Sequence, residues 1–156
     1  IMAITSAICS TFKKELMTAT HNFTTTSGNT FKVALIKANA SQTGTYSAAT
    51  TSYTTITGNS DELANGSGYT TGGNTLTNVT PTNGTSTTTT ALTDFADTSW
   101  TSATFTTRGC VIYNDTASGD PAVMVIDFGA DYSVAGGTFT IQFPTADESN
   151  AILRIT

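Results

Sequence analysis

The sequence predicts a mainly β domain: an antiparallel β-sandwich or jelly-roll-like fold of about eight strands with one N-terminal amphipathic helix. Three observations predict it. About a quarter of the 156 residues are Thr, whose branched Cβ packs well on a pleated surface. The apolar residues come in short bursts, several of them alternating with polar residues in the period of a half-buried strand. Gly, Pro, Asn and Asp separate the bursts at turn spacing, the pattern of a sandwich and not of a parallel α/β sheet. A chain of this length can bury one sizeable core, so residues 1–156 read as a single domain, with the helix over 4–17 and the sandwich over 29–156.

Ile4, Ile8, Phe12 and Leu16 recur every fourth position, with Lys13, Lys14 and Glu15 on the other side, which predicts an amphipathic helix capped by Thr5 or Ser6. Phe31, Val33 and Leu35 alternate with Lys32 and Ala34 as a strand. Residues 43–57 carry few anchors; Tyr46, Tyr53 and Ile56 would pin a loose strand or long loop. Gly66, Gly68, Gly72 and Gly73 around Tyr69 predict turns that need positive φ. Leu76 and Val79 mark a short strand, Pro81 to Gly84 a turn, and the Thr run from residue 85 leads to Leu92 and Phe95.

The last third is the most regular. Phe105 to Tyr113 reads as a strand, Asn114 to Pro121 as a turn, and Ala122 to Phe128 as a central strand apolar on both faces apart from Asp127. Phe139, Ile141 and Phe143 alternate with Thr138, Thr140 and Gln142, which predicts that all three are core. Ile152, Leu153 and Ile155, with Arg154 between them, supply the final strand.

Charge and composition bear on function. A net charge of -5 argues against nucleic acid, whose phosphates require clustered Lys and Arg. No apolar run approaches a membrane span, and the stretch from Met2 to Cys9 lacks the basic leader of a signal peptide, which predicts assembly in the cytoplasm. The charge is uneven: Lys13, Lys14, Lys32 and Lys37 stand against only Glu15 early in the chain, while the carboxylates crowd after Asp61. A basic end of this kind suits an acidic partner. Cys9 and Cys110 are far apart, in no metal-type spacing, and read as free buried thiols.

The inventory for chemistry is thin. His21 is the only histidine, no serine sits in a nucleophile-elbow context, and His21 reads as a surface or capping residue. Asp115 with Asp120, and Asp127 with Asp131, flank two turns and match no calcium-loop motif, so turn formation accounts for them. The glycines around Tyr69 open no helix and make no phosphate loop. Trp100, the single tryptophan, reads as core. No catalytic residue, cofactor or metal is predicted, and the expected activity is binding, not catalysis.

A series of phrases runs along nearly the whole chain: Phe12-Lys13-Lys14-Glu15-Leu16, His21-Asn22-Phe23, Phe31-Lys32-Val33-Ala34-Leu35 and Gly68-Tyr69-Thr70-Thr71-Gly72-Gly73. Trp100-Thr101-Ser102-Ala103-Thr104, Arg108-Gly109-Cys110-Val111-Ile112-Tyr113, Gly136-Gly137-Thr138-Phe139-Thr140 and Ile152-Leu153-Arg154-Ile155 complete it. In this order they resemble a family of small structural proteins encoded among the head and tail genes of tailed bacteriophages, common in marine and cyanobacterial viruses. The resemblance implies a virion component. Small size and the lack of repeats favour a capsid decoration (cement) protein that binds the outside of the major capsid shell as a trimer or dimer, over a tail or fibre component. The expected attachment surface is Phe12, Lys13, Lys14, Lys32, Lys37 and Tyr69. A carbohydrate-binding module would share the sandwich, with Tyr46, Tyr53 and Tyr69 as its candidate aromatics.

Overall fold

The computed structural model describes residues 4–156. The fold is mainly β and sandwich-like, built from two antiparallel sheets and not closed into a barrel. In chain order the elements are β1 (Ala7–Ile8), α1 (Ser10–Met17), β2 (Phe31–Lys37), α2 (Thr54–Gly58), β3 (Asn74–Thr75) and β4 (Asn78–Asn83). They continue with β5 (Ala91–Phe95), β6 (Thr98–Asn114), β7 (Ala122–Ile141) and β8 (Leu153–Ile155). The large sheet has the order β1-β7-β6-β2-β3 and the small sheet β4-β5-β8.

The helix is shorter than its periodicity predicts. Ile4 forms a bridge with Tyr46, Ala7 and Ile8 pair with Val125 and Met124 of β7, and only Ser10–Met17 is helical. A four-residue spacing is also a multiple of two, so Ile4 and Ile8 fit a strand as well as a helix. Cys9, not Thr5 or Ser6, occupies the cap position, without a side-chain cap; the Ser6 hydroxyl accepts the Asp127 N–H instead.

β2 is buried on both faces. On one, Phe31 stacks on Phe23 at 4.4 Å and meets Phe95 of the small sheet at 5.7 Å, forming the aromatic centre between the layers. On the other lies Tyr113, the cross-strand partner of Lys32, on which Tyr53 of the long β2–β3 connection stacks at 4.5 Å. Tyr46 and Ile56 of that connection are fully buried, so the anchors read from the sequence hold; the unpredicted part is the short helix α2, which carries Ile56. All four glycines around Tyr69 take positive φ, and at Gly73 a Cβ would stand 1.8 Å from the Val33 carbonyl oxygen.

β6 and β7 merge what the sequence divides. They pair over almost their whole length, from Thr98–Ile141 to Tyr113–Ala122. The predicted turn between Asp127 and Asp131 is a bulge: Gly109 faces Asp127 and Thr107 faces Tyr132, so β7 loops out residues 128–131 where β6 advances by one. Pro81, predicted in a turn, lies in β4 at the edge of the small sheet, where a missing N–H is tolerated. Trp100 is core, as predicted. Of the three alternating residues predicted to be core, only Ile141 is fully buried; Phe139 and Phe143 are half-buried at the margin of the core, packed against it.

Candidate functional site

Two adjacent carboxylates, Asp61 and Glu62, are buried, and each accepts hydrogen bonds from three other residues. Asp61 accepts the N–H groups of Thr43 at 2.9 Å and Gly44 at 2.7 Å, together with the Tyr46 hydroxyl. Burial raises its pKa and these bonds lower it; together they hold the carboxyl below its ordinary value. Glu62 accepts the hydroxyls of Tyr53 and Tyr69 and the N–H of Gly72, each at 2.6 Å. The Tyr69 hydroxyl in turn accepts the Leu35 N–H at 3.1 Å. This network fastens the long connection to β2. Its phenols and carboxylates are consumed by one another, so it is a lock for the fold and not an open reaction centre.

Around His21 the same economy holds. The ring is buried, bonded through Nε2 to Glu15 at 2.9 Å and through Nδ1 to Asn114 at 3.0 Å, with Phe12 at 4.8 Å. The reading of His21 as a surface residue is therefore corrected. An aromatic ring that follows an amphipathic helix and precedes Phe23 fills the core as readily as it caps. Cys9 and Cys110 are free and buried; burial pushes the Cys9 thiol up to about 12 and raises Cys110 further. Among the described residues no three His, Cys, Asp or Glu side chains are grouped to hold a metal ion.

The six residues expected to form an attachment surface do not form one. Phe12 is 1% exposed and Tyr69 2%, so both belong to the core and are removed from that surface. Phe12 faces inward because it lies on the buried stripe of α1, and Tyr69 because its ring packs near Trp100 while its hydroxyl serves Glu62. Lys32 pairs with Asp115 at 3.3 Å and the Lys37 ammonium donates to the Ser60 carbonyl, both on β2. Lys13 and Lys14 stay exposed on α1 and make no ion pair among the described residues.

What Lys13 does border is an open cleft of about 620 Å³ between α1 with β1 on one side and the small sheet on the other. Its walls are apolar, from Ile8, Phe12, Leu16, Leu153 and Ile155. Lys13 and Arg154, both exposed, are its cations. Two edges frame it, since β1 pairs only with β7 and β8 only with β5. Ile155 is 63% exposed and Met17, at the end of α1, 82%. The alternation of Ile152 to Ile155 identified β8 as a strand, but not that its face would stay uncovered.

A second apolar surface lies on the hairpin. Phe128, Tyr132, Phe139 and Phe143 line a groove of about 430 Å³. Tyr132, at the end of the β7 bulge, is 50% exposed. Tyr132 is exposed, and the three Phe rings are half-buried against the core; Tyr46, Tyr53 and Tyr69, the row expected for sugar stacking, are tied up in the carboxylate network.

No protein-family model matches the chain, and no curated protein or solved structure is detectably similar to it. No helix among the described residues is long and apolar enough to cross a membrane.

Proposed function

We propose that this chain is a non-catalytic structural module of a tailed-phage virion, a capsid decoration protein that attaches in many copies, as a trimer or dimer, to the outer surface of the major capsid protein. The particle is assembled in the host cytoplasm. The observation that supports the reading is the pair of apolar surfaces on an otherwise well-packed domain: the cleft beside α1 and the aromatic groove on the hairpin. Exposed apolar patches rimmed by polar residues are what protein contacts use. A Thr-rich, charge-poor exterior suits broad contact, because neutral hydroxyls cost less to desolvate than charges. The virion assignment itself comes from the resemblance of the sequence phrases.

Attachment is assigned to the basic side of α1, where Lys14 is exposed. Removing residues 1–20 would not test this, because it takes away β1 and the core residue Phe12. Lys14→Glu is the cleaner probe. Purified protein is added to undecorated heads of the encoding phage and bound copies are counted after sedimentation. Saturation at hundreds of copies per head, weakened by Lys14→Glu, is the expected result. A stoichiometry of a dozen or fewer would move the protein to the tail or fibre, and no binding to heads or tails would sink the virion reading. The carbohydrate-binding alternative is disfavoured by the tilt of the groove rings: Phe128 and Tyr132 stand at 81°, offering no flat platform.

A further inference from the structure

The cleft and the β7 bulge have complementary chemistry. The cleft is apolar, carries Lys13 and Arg154, and has no carboxylate in its lining; the nearby Glu15 is occupied by His21. The bulge places Phe128 and Tyr132 on either side of Gly129, Ala130 and Asp131, all three exposed. Asp131 is the carboxylate available there: it accepts the Asn39 N–H at 3.0 Å and forms no ion pair among the described residues, whereas Asp127 is held by Arg108 at 2.7 Å. The bulge thus presents one exposed ring, Tyr132, with the half-buried Phe128 beside it and one anion, on the same molecule that presents an apolar cleft bearing two cations; this bulge is the knob of the contact. Gly129, at φ 82, holds the loop-out in a backbone conformation that side chains disfavour, and a Cβ there would touch nothing within 4 Å. The glycine serves the shape of the knob and not its packing.

We infer that a second copy of this chain fills the cleft, the Phe128–Tyr132 bulge of one copy seating between α1 and β8 of the next. Phe128 and Tyr132 meet Ile8, Leu153 and Ile155, and Asp131 faces Lys13 and Arg154. The inference deepens the reading of the protein as a multi-copy structural module and rests on it. Because the contact joins two different surfaces, it closes either reciprocally about a two-fold axis or head to tail around a ring. Opposed charge at the edge of the contact sets its register, and like charges in that place oppose it.

The test is self-association of the purified chain, followed by sedimentation velocity over a wide concentration range. Wild type is expected to associate reversibly. Arg154→Glu spoils only the cleft and Asp131→Arg only the knob, so each alone should weaken association at least tenfold. Both side chains are exposed, so circular dichroism should be unchanged and melting should fall only by the loss of one surface hydrogen bond each, from the Asn39 N–H to Asp131 and from Arg154 to the Ser149 carbonyl. Tyr132→Ser provides an independent uncharged variant of the knob with the same expected loss of association. Mixing the two charge variants should restore association, since each supplies the surface that the other lacks. Wild type that stays monomeric, single variants that associate like wild type, or a mixture that stays monomeric overturns the inference. No capsid enters this assay, so its failure leaves head binding standing, and failure to bind heads leaves the knob and cleft standing.

Discussion

The side-chain amide of Asn114 donates to His21 Nδ1 at 3.0 Å, and this bond fixes which ring nitrogen carries the proton. The orientation of the amide is itself determined, because Asn114 Oδ1 accepts the N–H groups of Thr116 and Ala117. With Nδ1 as acceptor, the hydrogen resides on Nε2 and points to Glu15 at 2.9 Å. One buried asparagine thereby joins the turn after β6 to the segment that follows α1.

Nitrogen-15 NMR of the neutral imidazole should show the Nε2–H tautomer. Asn114→Ala should destabilise the fold by about 2 kcal/mol or more, because it leaves several buried donors and acceptors unpaired at once. Urea titration measures this, and a loss within a few tenths of a kcal/mol would contradict the proposed role.

Acid sensitivity follows from Asp61 and Asp127. Burial raises the Asp61 carboxyl, but the bonds from Tyr46, Gly44 and Thr43 prevail and lower it; the Arg108 guanidinium lowers Asp127. A carboxyl that is depressed on folding stabilises the protein above its unfolded pKa of 3.8 and loses that contribution as pH falls through the folded value. Asp94, raised by burial, contributes with the opposite sign. Stability should therefore fall on acidification below about pH 4, and Asp61→Asn should be less stable at neutral pH with a flatter acid limb. Denaturant midpoints across the acid range give the comparison.

Ile141 and Phe139 separate core from surface on the hairpin. Ile141→Ala should cost about 2–5 kcal/mol, the range for a buried aliphatic side chain. Phe139→Ala should cost less for its size, since its ring is half-exposed even though it meets Trp100, Phe105 and Phe128 at about 6 Å. Loss below half a kcal/mol at Ile141 would place that strand on the surface.

Both thiols should resist a maleimide in the native protein, since neither has exposed surface and burial pushes the Cys9 thiol up to about 12. Labelling should appear with global unfolding, and rapid modification of either cysteine under native conditions would show that α1 or the β2–β6 pairing opens locally.

The fold class was legible because it depends on local pattern. The strand around Val33, the glycines at Gly66 to Gly73 and the turn at Asn114 to Pro121 are each local signals and lie where that reasoning puts them, although β2 is buried on both faces and not half-buried as its alternation predicts. The extent of α1 was not legible, since Ile4 and Ile8 satisfy both periods and the choice is made by Tyr46 and β7, distant in sequence. The surface was least legible of all. Whether a lysine is free or paired depends on its neighbours in space, as Asp115 beside Lys32 shows. Phe12 and Tyr69 look alike as exposed or buried aromatics until the packing partner is known. Ile155 gave a strand signal that says nothing about whether another layer will cover it.

The β6–β7 hairpin has a consequence for how the chain comes off the ribosome. Its two strands are neighbours across one short turn, so their pairing closes a small loop and can form quickly. β2 meets only short partners before β6, the two residues of β3 and the bridge from Ile36 to Glu62; its long partner β6 comes later, and β1 must wait for β7. This apolar strand therefore lacks its long partner until β6 has been made. The sparse, Thr-rich stretch that separates it from β6 supplies few competing apolar segments during that interval, which keeps Phe31 to Ile36 from settling on the wrong edge before the right one exists.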